Sequence, residues 1–434
     1  MNGMTIQSAS KDIVIVGGSL ASLMHGIMLK HLGHNVRILE KSLGSSPDNH
    51  MAGVCAASDV LSFLERFDQF KDHPLGIPSV CLQSIDQENH ISVFLKVQRL
   101  MTSWDALYFR LRANFDGLPS EYFQSQPSRD SINGSSAVYE TGKQVISLEN
   151  TGSKMRIEHK DLVSGLISYT TADLVIGADG PNSIVRNTFL PTVDRRYAGY
   201  IAWRGVVAEE EVSEETRKIF QRNITYSVVT GGHAIVYNIP GKLGSIGEGK
   251  RLLNFCWYTN EPEVRLDDVM TDREGRRHYT SISSGSVREA VWTKQKELGS
   301  SLMSTPYIEI ISKIEKPFVH IISDYYSPKA SFANGKVLLV GDALTLLRPH
   351  IAFSTNQAAY HCMMVEKLIK GEIDIRAWEV ELTRFGYLHW RRSIWYGEYF
   401  QRPLFKSILM GLKYWFVAAG QTIKYWGENK QMTQ

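Results

Sequence analysis

Apolar residues follow two different patterns along the chain, and the two patterns predict two kinds of sheet. Residues 12–16 are apolar after the first position, which is typical of a strand buried on both faces of a parallel sheet. A glycine pair, a helical apolar pattern over residues 20–32 and a second strand over residues 35–40 follow. This β-α-β unit predicts parallel strands joined by a right-handed crossover.

The middle of the chain has the strict apolar–polar alternation of antiparallel strands. Residues 197–259 contain four long alternating segments, which predict a second sheet. Residues 78–98 are predicted to form a hairpin, residues 100–114 a helix, and residues 120–136 a surface loop rich in serine, proline and glycine. Residues 144–176 are predicted to form two strands joined by a turn.

The last part of the chain returns to the first pattern. Residues 337–340 have the pattern of a buried strand, and a long helical tail runs from about residue 356 to the end. A chain of 434 residues exceeds what one hydrophobic core usually serves. The sequence therefore predicts an α/β fold, in which a Rossmann-like parallel-sheet domain is interrupted by an antiparallel-sheet domain and followed by C-terminal helices.

Composition argues against several classes of protein. The net charge is only +3 and no run of Lys or Arg occurs, so no nucleic-acid partner is expected. The four cysteines are far apart in sequence, which argues against a zinc site or a disulfide framework, and no metal-ligand set is predicted. No apolar stretch reaches the length of a membrane span and no signal peptide is recognised, so a soluble cytoplasmic protein is expected.

The first motif with chemical content lies between the first strand and the first helix. Gly17 and Gly18 can form the tight turn that lets a backbone approach a pyrophosphate, although Ser19 and Ser22 stand where the dinucleotide fingerprint has further glycines. Glu40 ends the second strand, where a carboxylate can accept hydrogen bonds from the hydroxyls of an adenosine ribose. An ordinary β-α turn with an exposed glutamate is the alternative interpretation.

Two further strands end in a turn that contains glycine and aspartate. The strand before Asp179 and Gly180 leads into a helix whose N-terminus offers free N–H groups to an anion. The strand before Asp342 is followed by a helix that begins near Ser354. Each such turn is common in isolation, where it serves only structure. The combination of three such turns in this order, with an antiparallel block between the last two, is a far more specific signal than any one of them.

The chain resembles the flavoprotein aromatic hydroxylases that have the p-hydroxybenzoate hydroxylase fold, and most of all the 2,6-dihydroxypyridine 3-monooxygenase branch and its fungal relatives. The segments that carry the resemblance are VGGSLASL, TSWDALYFRLR, GADGPNSIVR, YAGYIAWRGV, LDDVMTD, GKVLLVGDA and RPH. They span nearly the whole chain, up to about residue 401. The residues that the resemblance assigns to an FAD site are Gly17, Gly18, Ser19, Glu40, Lys41, Gly53, Asp179, Gly180, Asp342, Pro349, Ala352, Phe353, Ser354 and Thr355.

The resemblance implies an FAD-dependent, single-component monooxygenase. NADPH, or NADH, would reduce FAD, and O2 would then supply one oxygen atom to a small electron-rich aromatic or heteroaromatic molecule, within fungal secondary metabolism. The expected domain boundaries are 1–78, 99–190 and 326–395 for the FAD-binding domain, 79–98 and 191–325 for the substrate domain, and 396–434 for a C-terminal helical extension.

The loop that is expected to meet the flavin departs from the wider family. Glycines usually stand where this chain has Ala352 and Ser354, and the bulky Phe353 lies between them. Phe353 is expected either to turn away and line the substrate cavity or to occupy the space of the flavin ring. The first outcome favours an oxygenase. The second favours the alternative function, a cyclase or isomerase that kept the fold and lost oxygenation.

Candidates for substrate chemistry are fewer. His233 and Tyr237 lie four residues apart on one face of a strand that would roof the substrate cavity, so His233 could orient or deprotonate a phenol. Arg204 could bind a carboxylate or form a structural ion pair. His50 lies near the loop that is expected to enter the flavin region. For both histidines, a packed or surface side chain is the alternative interpretation.

The C-terminal helix has an apolar stripe flanked by lysines. We expect this helix to dock on the protein's own domain or on the partner in a homodimer, and contact with a membrane surface is the less favoured alternative. The stripe comprises Phe405, Leu409, Leu412, Phe416, Ala419 and Ile423, and the lysines are Lys406, Lys413 and Lys424.

Overall fold

Two sheets dominate the computed structural model, which describes residues 10–44, 52–123 and 136–432. The strands are β1 (Asp12–Val16), β2 (Asn35–Leu39), β3 (Gly53–Ala56), β4 (Ile77–Ile85), β5 (Ile91–Ser103), β6 (Ala137–Glu140), β7 (Lys143–Asn150), β8 (Met155–Asp161), β9 (Ile167–Ala172), β10 (Leu174–Gly177), β11 (Arg196–Ala208), β12 (Asn223–Val229), β13 (Gly232–Ile239), β14 (Leu252–Asn260), β15 (Ser281–Ile282), β16 (Phe318–Tyr326), β17 (Ser331–Phe332), β18 (Val337–Leu339) and β19 (Thr345–Leu346). The α-helices are α1 (Leu20–His31), α2 (Ser58–Phe67), α3 (Trp104–Asp116), α4 (Ile184–Phe189), α5 (Glu214–Phe220), α6 (Leu266–Val269), α7 (Glu289–Leu302), α8 (Thr305–Lys313), α9 (Gly341–Leu344), α10 (Ser354–Ile369), α11 (Ile375–Gln401) and α12 (Leu404–Met432).

The first sheet is mainly parallel and has the strand order β17-β18-β10-β1-β2-β6. β1 lies between β2 and β10, so Val16 is in register with Leu39 on one side and Gly177 on the other. The apolar residues of β1 are buried, as expected for a strand covered on both faces. α1 packs against α3 and α10. The predicted β-α-β unit is therefore confirmed.

The second sheet is large and mostly antiparallel, in the order β15-β16-β11-β14-β13-β12-β4-β5-β3, with β19 paired to β16. On β13, His233 stacks on Tyr258 and Tyr237 packs on the same face. Ala234 and Val236 belong to the core on the opposite face. The predicted interruption is confirmed, because the parallel sheet resumes at β18 after these strands.

Some element boundaries differ from the sequence prediction. β5 continues to Ser103 and pairs with β3, so the helix predicted from residue 100 begins only at Trp104. The Ser103 hydroxyl accepts a hydrogen bond from the Ala106 N–H and caps α3. The segment predicted as two strands over residues 144–176 contributes β7, β8 and β9, which form a separate antiparallel sheet, and β10.

The predicted helical tail is broken into three helices. α10 ends at Ile369, α11 packs against α10 and strands of the second sheet, and α12 runs back along α11. Gly411 of α12 lies so close to α11 that a Cβ atom would be 2.8 Å from the Trp395 Nε1 atom. The ring of Trp395 stacks on Tyr414, with 5.3 Å between centroids. A face of small and aromatic residues therefore holds α12 in place.

The apolar stripe of α12 points away from this contact. Phe405, Leu412 and Phe416 are 65%, 64% and 83% exposed. The helix therefore docks on its own domain, which was one of the two expected positions, but it does so through the face opposite the stripe. Within the described part of the chain, no helix is both long enough and apolar enough to cross a membrane.

Asp68 and Arg110 form an ion pair that is almost inaccessible to solvent. The Arg110 Nε donates to one Asp68 carboxylate oxygen at 2.8 Å, and the Asn114 amide donates to the other at 2.8 Å. The guanidinium also donates to the carbonyl oxygens of Phe70 and His73. The pair therefore fastens the segment that follows α2 to the middle of α3.

We predict that Asp68→Ala lowers the free energy of unfolding by roughly 3–5 kcal/mol, because it leaves the Arg110 charge buried without a counter-ion. Denaturant titration measures this change. Glu149→Ala is the matched control, because its ion pair with Arg156 is exposed and should contribute less than about 1 kcal/mol. Equal losses of stability in the two variants would contradict a special role for the buried pair.

Candidate cofactor and substrate site

A cavity of about 620 Å³ opens at the carboxyl ends of β1, β10 and β18. This is the edge at which open α/β sheets bind ligands, and the volume is within the range of cofactor and small-molecule pockets. The predicted residues that line it are Gly17, Gly18, Ser19, Glu40, Lys41, Gly53, Asp179, Gly180, Arg204, Asp342, Ser354 and Thr355. Lining residues that the sequence did not single out include Trp104, Lys143, Gln144, Asn182 and His320.

The turn after β1 has no space for side chains at its two glycines. Gly17 has a φ of +94°, and a Cβ atom there would lie 2.7 Å from the carbonyl oxygen of Ala178 and the Cα of Asp179. A Cβ atom at Gly18 would lie 2.1 Å from the Tyr139 hydroxyl. The backbone of this turn is therefore open towards the cavity, as close approach to a pyrophosphate requires.

Glu40 closes one end of the cavity. Its carboxylate accepts hydrogen bonds from the Gly18 N–H at 2.6 Å and from the Ser42 N–H at 2.8 Å. Each carboxylate oxygen can accept a second hydrogen bond, so the group can still bind ligand hydroxyls. Ser19 stands at the N-cap of α1, but its side chain makes no capping hydrogen bond. The N-terminus of α1 thus faces the cavity with its positive end.

A polar network behind the turn was not predicted. The Tyr139 hydroxyl donates to the Gly18 carbonyl at 2.8 Å and lies 3.2 Å from the Tyr108 hydroxyl. Arg112 donates to Tyr108 at 2.9 Å, and its guanidinium lies 3.6 Å from the centre of the Tyr139 ring. Tyr139 comes from β6, far along the chain from Gly18, so no local motif indicated this contact. The network fixes the carbonyl side of the turn.

Asp179 has one satisfied and one unsatisfied carboxylate oxygen. Its Oδ2 accepts a hydrogen bond from the Ile184 N–H at 2.7 Å, at the start of α4. Its Oδ1 is buried and has no partner among the described residues. Burial raises the pKa of Asp179, and hydrogen bonds from Ser183 and the α4 amides oppose this rise. Asp179 lines the cavity, so this oxygen can accept a hydrogen bond from a ligand.

Asp342 is the second carboxylate of this kind. Its Oδ1 is also buried without a hydrogen-bond partner in the described chain. Burial raises the pKa of Asp342 to about 6, although the charge of Arg195 and a hydrogen bond with Ser354 lower it. A buried acceptor costs free energy when it is left unpaired. A ligand with hydroxyl groups would remove that cost.

The first turn of α10 contributes Ser354 and Thr355 to the cavity wall. Ala352, just before it, has a φ of +50°, which explains why glycine is common at this position in the wider family. Phe353 turns away: its ring lies 4.3 Å from the ring of His389 on α11 and is not part of the cavity wall. The two expected positions of Phe353, beside the substrate or in the space of the flavin ring, stay predictions. Pro349 and Ala352 also lie outside the lining.

Gly53 connects the cavity to the second sheet. Its N–H donates to the Asn254 side chain at 3.0 Å. A Cβ atom at Gly53 would lie 2.4 Å from the Tyr237 ring, so the glycine allows β3 to approach that tyrosine. Tyr237 itself is not part of the cavity wall in this structure.

Arg204 is the cationic group of the cavity wall on the second sheet. It lies opposite Cys256 on β14 and Phe318 on β16, and its guanidinium is 5.3 Å from the centre of the Phe318 ring. Its Nε is buried without a hydrogen-bond partner, and no carboxylate of the described residues forms an ion pair with it. The alternative that Arg204 forms a structural ion pair is therefore wrong for the described part of the chain.

His233 lies in a packed aromatic cluster rather than in the cavity. Its ring stacks on Phe400 at 4.1 Å, and Gln401 lies 3.1 Å from its Nδ1. Burial lowers the pKa of His233 to about 3, so the ring is neutral at physiological pH. His350, whose Nε2 lies 2.7 Å from the Tyr200 hydroxyl, belongs to the same cluster. The candidate His50 lies outside the described residues.

An exposed acidic group lies elsewhere, at the tip of the β4–β5 hairpin. Asp86, Glu88 and His90 place potential ligand atoms within 4.8 Å of one another, which the sequence spacing did not indicate. All three are exposed, and His90 pairs with Asp86 at 3.1 Å. The polar atoms of exposed groups such as these form hydrogen bonds with water and with one another.

The donor set of the main cavity fits FAD. Two helix N-termini supply positive potential for phosphates, and Glu40, Asp179 and Asp342 supply acceptors for hydroxyl groups. The glycine turn gives the close backbone approach that a dinucleotide needs. A site for a small anion alone would not require three carboxylates along its length.

Comparisons with known proteins agree with this chemistry. Residues 197–324 match the family model described as FAD binding domain-like. The chain is 28% identical over 383 residues to the 2,6-dihydroxypyridine 3-monooxygenase of Paenarthrobacter nicotinovorans, covering 87% of this chain and 88% of that protein. The solved structure of 2,6-dihydroxypyridine-3-hydroxylase from Arthrobacter nicotinovorans superposes with a TM-score of 0.76 at 26% identity, over 91% of this chain and 93% of that one.

Two further relatives extend the comparison. Klebsiella pneumoniae HpxO, solved with FAD and uric acid, has the same fold, with a TM-score of 0.68 at 16% identity over 97% of this chain and 96% of that chain. The aurachin C monooxygenase/isomerase of Stigmatella aurantiaca is 24% identical over 207 residues, which are 47% of this chain and 44% of that protein. The chain is therefore similar, in sequence and over nearly its whole length in fold, to FAD-binding aromatic hydroxylases.

Proposed function

We propose that the protein hydroxylates a small electron-rich aromatic or heteroaromatic molecule, using FAD, NADPH or NADH, and O2. The observation that carries this proposal is the continuity of one cavity from the Gly17–Gly18 turn to the unpaired Arg204. A cofactor seated at the turn would extend towards the second sheet, where a substrate could meet it. The similarity to a 2,6-dihydroxypyridine 3-monooxygenase supports a planar, hydroxylated ring as substrate.

The residues that would hold FAD follow from their positions in the cavity. Glu40 would bind the ribose hydroxyls, and the turn at Gly17 with the α1 N-terminus would bind the pyrophosphate. The free Oδ1 atoms of Asp179 and Asp342 would accept hydrogen bonds from the central part of the cofactor. Ser354, in the first turn of α10, would lie beside the ring system.

When bound, FAD supplies the redox chemistry, accepting a hydride from the nicotinamide and activating O2. The chain itself supplies position and charge. The N-terminus of α10 directs its positive end at the cavity, where it would stabilise negative charge on a reduced ring.

Arg204 is the residue that we propose for substrate recognition. A guanidinium without a carboxylate partner stabilises an anion in a partly buried site. Contact with Arg204 would favour the ionised form of a ring hydroxyl, which increases the electron density of the ring. A substrate carboxylate would be held by the same group. His233 is neutral and packed, so we propose a structural role for it rather than proton transfer.

The alternative function, a cyclase or isomerase, rested on a flavin space blocked by Phe353. Phe353 packs against His389 on α11 and is not among the residues that line the cavity, which supports the oxygenase. The Stigmatella relative is a monooxygenase/isomerase, so the experiment must also detect a rearrangement that follows hydroxylation.

The cellular setting is a further part of the proposal. All four cysteines are free and buried, which supports a reducing compartment such as the cytoplasm. The resemblance to fungal members of the family supports a role in secondary metabolism.

We predict that NADPH oxidation by the purified protein accelerates when a hydroxypyridine or phenol that bears an ionisable group is added. Isotopically heavy O2 should place one labelled oxygen atom in the product. Arg204→Met should keep its flavin and raise the KM of an anionic substrate by about tenfold or more, since a charge-assisted contact is lost. Arg156→Met is the control, because the Arg156 side chain is 49% exposed and is not part of the cavity wall. An isomerised product without labelled oxygen would refute hydroxylation and support the alternative function.

We predict that Asp342→Asn weakens FAD binding and stabilises the protein stripped of flavin. The raised pKa of Asp342, about 6, means that the folded apoprotein loses stability as pH rises from about 4 through 6, while the unfolded chain ionises first. Asparagine cannot ionise, so the apo variant should gain on the order of 1–3 kcal/mol at pH 7 or above and nothing near pH 4. The dissociation constant for FAD should rise by about fivefold to a hundredfold.

Denaturant titrations of the apoprotein at both pH values and FAD titrations at neutral pH measure the two effects. Asp72→Asn is the matched control, because Asp72 is exposed and lies far from the cavity wall. A variant that is less stable at neutral pH, yet binds FAD as tightly as the parent, would show that Asp342 serves the fold and not the ligand.

A further inference from the structure

The last helix has an apolar face that the described chain leaves uncovered. The exposed side chains of this face are Phe405, Ile408, Leu409, Leu412, Trp415 and Phe416. They recur every three or four residues, so they form one stripe along a helix. Scattered exposed apolar residues are normal on a protein surface, but a contiguous stripe of six large side chains marks an interaction site.

The stripe has a fixed orientation. Ser407 is buried, Gly411 abuts Trp395, and Tyr414 stacks on that tryptophan, so the opposite face of α12 is committed to α11. The Gln421 amide also donates to the Arg384 carbonyl on α11, at 3.4 Å. The helix therefore cannot turn its stripe inward without breaking these contacts.

The charges on this segment all have one sign. Lys406 and Lys413 are exposed and lie beside the stripe on the helix surface. From residue 404 to residue 426 the chain has three lysines and neither Asp nor Glu. Trp415, which is 60% exposed, is of the kind that concentrates at the interface between lipid and water.

We propose that α12 binds the surface of an anionic phospholipid bilayer. The stripe would insert among the acyl chains near the headgroups, and Lys406 and Lys413 would meet the negative lipid phosphates and carboxylates. The helix would lie in the plane of the surface, in line with the absence of a spanning helix among the described residues.

A second copy of the chain fits this surface less well. If the same stripe on two copies packed together, the lysines of both would approach one another, and no carboxylate between residues 404 and 426 could neutralise them. An anionic lipid surface supplies the missing negative charge. Charge complementarity therefore favours the bilayer over a homodimer through this face.

Sedimentation with vesicles tests the proposal on the full-length protein. Vesicles of phosphatidylcholine with phosphatidylserine should bind the protein about tenfold or more tightly than phosphatidylcholine alone, and added salt should weaken the binding. The double variant Leu412→Ser with Phe416→Ser should lose binding by about tenfold or more, because the inserted apolar area is lost. Lys406→Gln with Lys413→Gln should lose the preference for phosphatidylserine.

The matched control is the double variant Val163→Ser with Val264→Ser, because these valines are 83% and 89% exposed at other surfaces. It should bind vesicles as the parent does, and every variant should keep the parent's circular dichroism. Failure of the parent to bind either vesicle would overturn the proposal, as would unchanged binding by the α12 variants. A dimeric mass without lipid, reduced to a monomer by Leu412→Ser with Phe416→Ser, would assign the face to a second copy instead.

Discussion

The turn between β1 and α1 packs closely against its neighbours only because Gly17 and Gly18 have no side chains. A single Cβ atom at Gly17 would lie 2.7 Å from the backbone of Asp179, and one at Gly18 would overlap the Tyr139 hydroxyl. Larger residues would separate β1 from β10 or displace the turn, and either movement would close the path along the sheet edge. The positions of Glu40, Asp179 and Asp342 relative to one another rest on this contact, because each follows a strand of the same sheet.

The cavity wall contains both positive and negative groups. The N-termini of α1 and α10 supply partial positive charge, whereas Glu40, Asp179 and Asp342 supply acceptors, two of which have buried oxygens without partners. Such oxygens cost stability in the free protein, and the hydroxyl groups of a ligand would pair with them. The helix N-termini would bind the phosphates of the same ligand. Arg204, which also lines the cavity, has a positive charge that no carboxylate of the described residues neutralises.

Local sequence predicted those features that local geometry determines. The spacing from Gly17 to Glu40 is set by one β-α-β unit, so both could be placed before the structure was known. Tyr139 could not, because its contact with Gly18 depends on β6 joining the sheet beside β2. The orientation of Phe353 depends on α11, and the apolar stripe of α12 has the same sequence pattern whether it meets a partner or not. Periodicity identifies a face, but tertiary packing decides what covers it.

Titration of FAD into flavin-free protein tests most directly whether this cavity holds FAD. Protein fluorescence and the visible flavin spectrum, followed together, should saturate at close to one FAD per chain. The dissociation constant should be about micromolar or lower, which corresponds to a binding free energy of about −8 kcal/mol or more favourable. The protein purified without treatment should already be yellow and should release FAD on denaturation. A colourless protein that leaves the spectrum of added FAD unchanged at saturating concentrations would contradict the account.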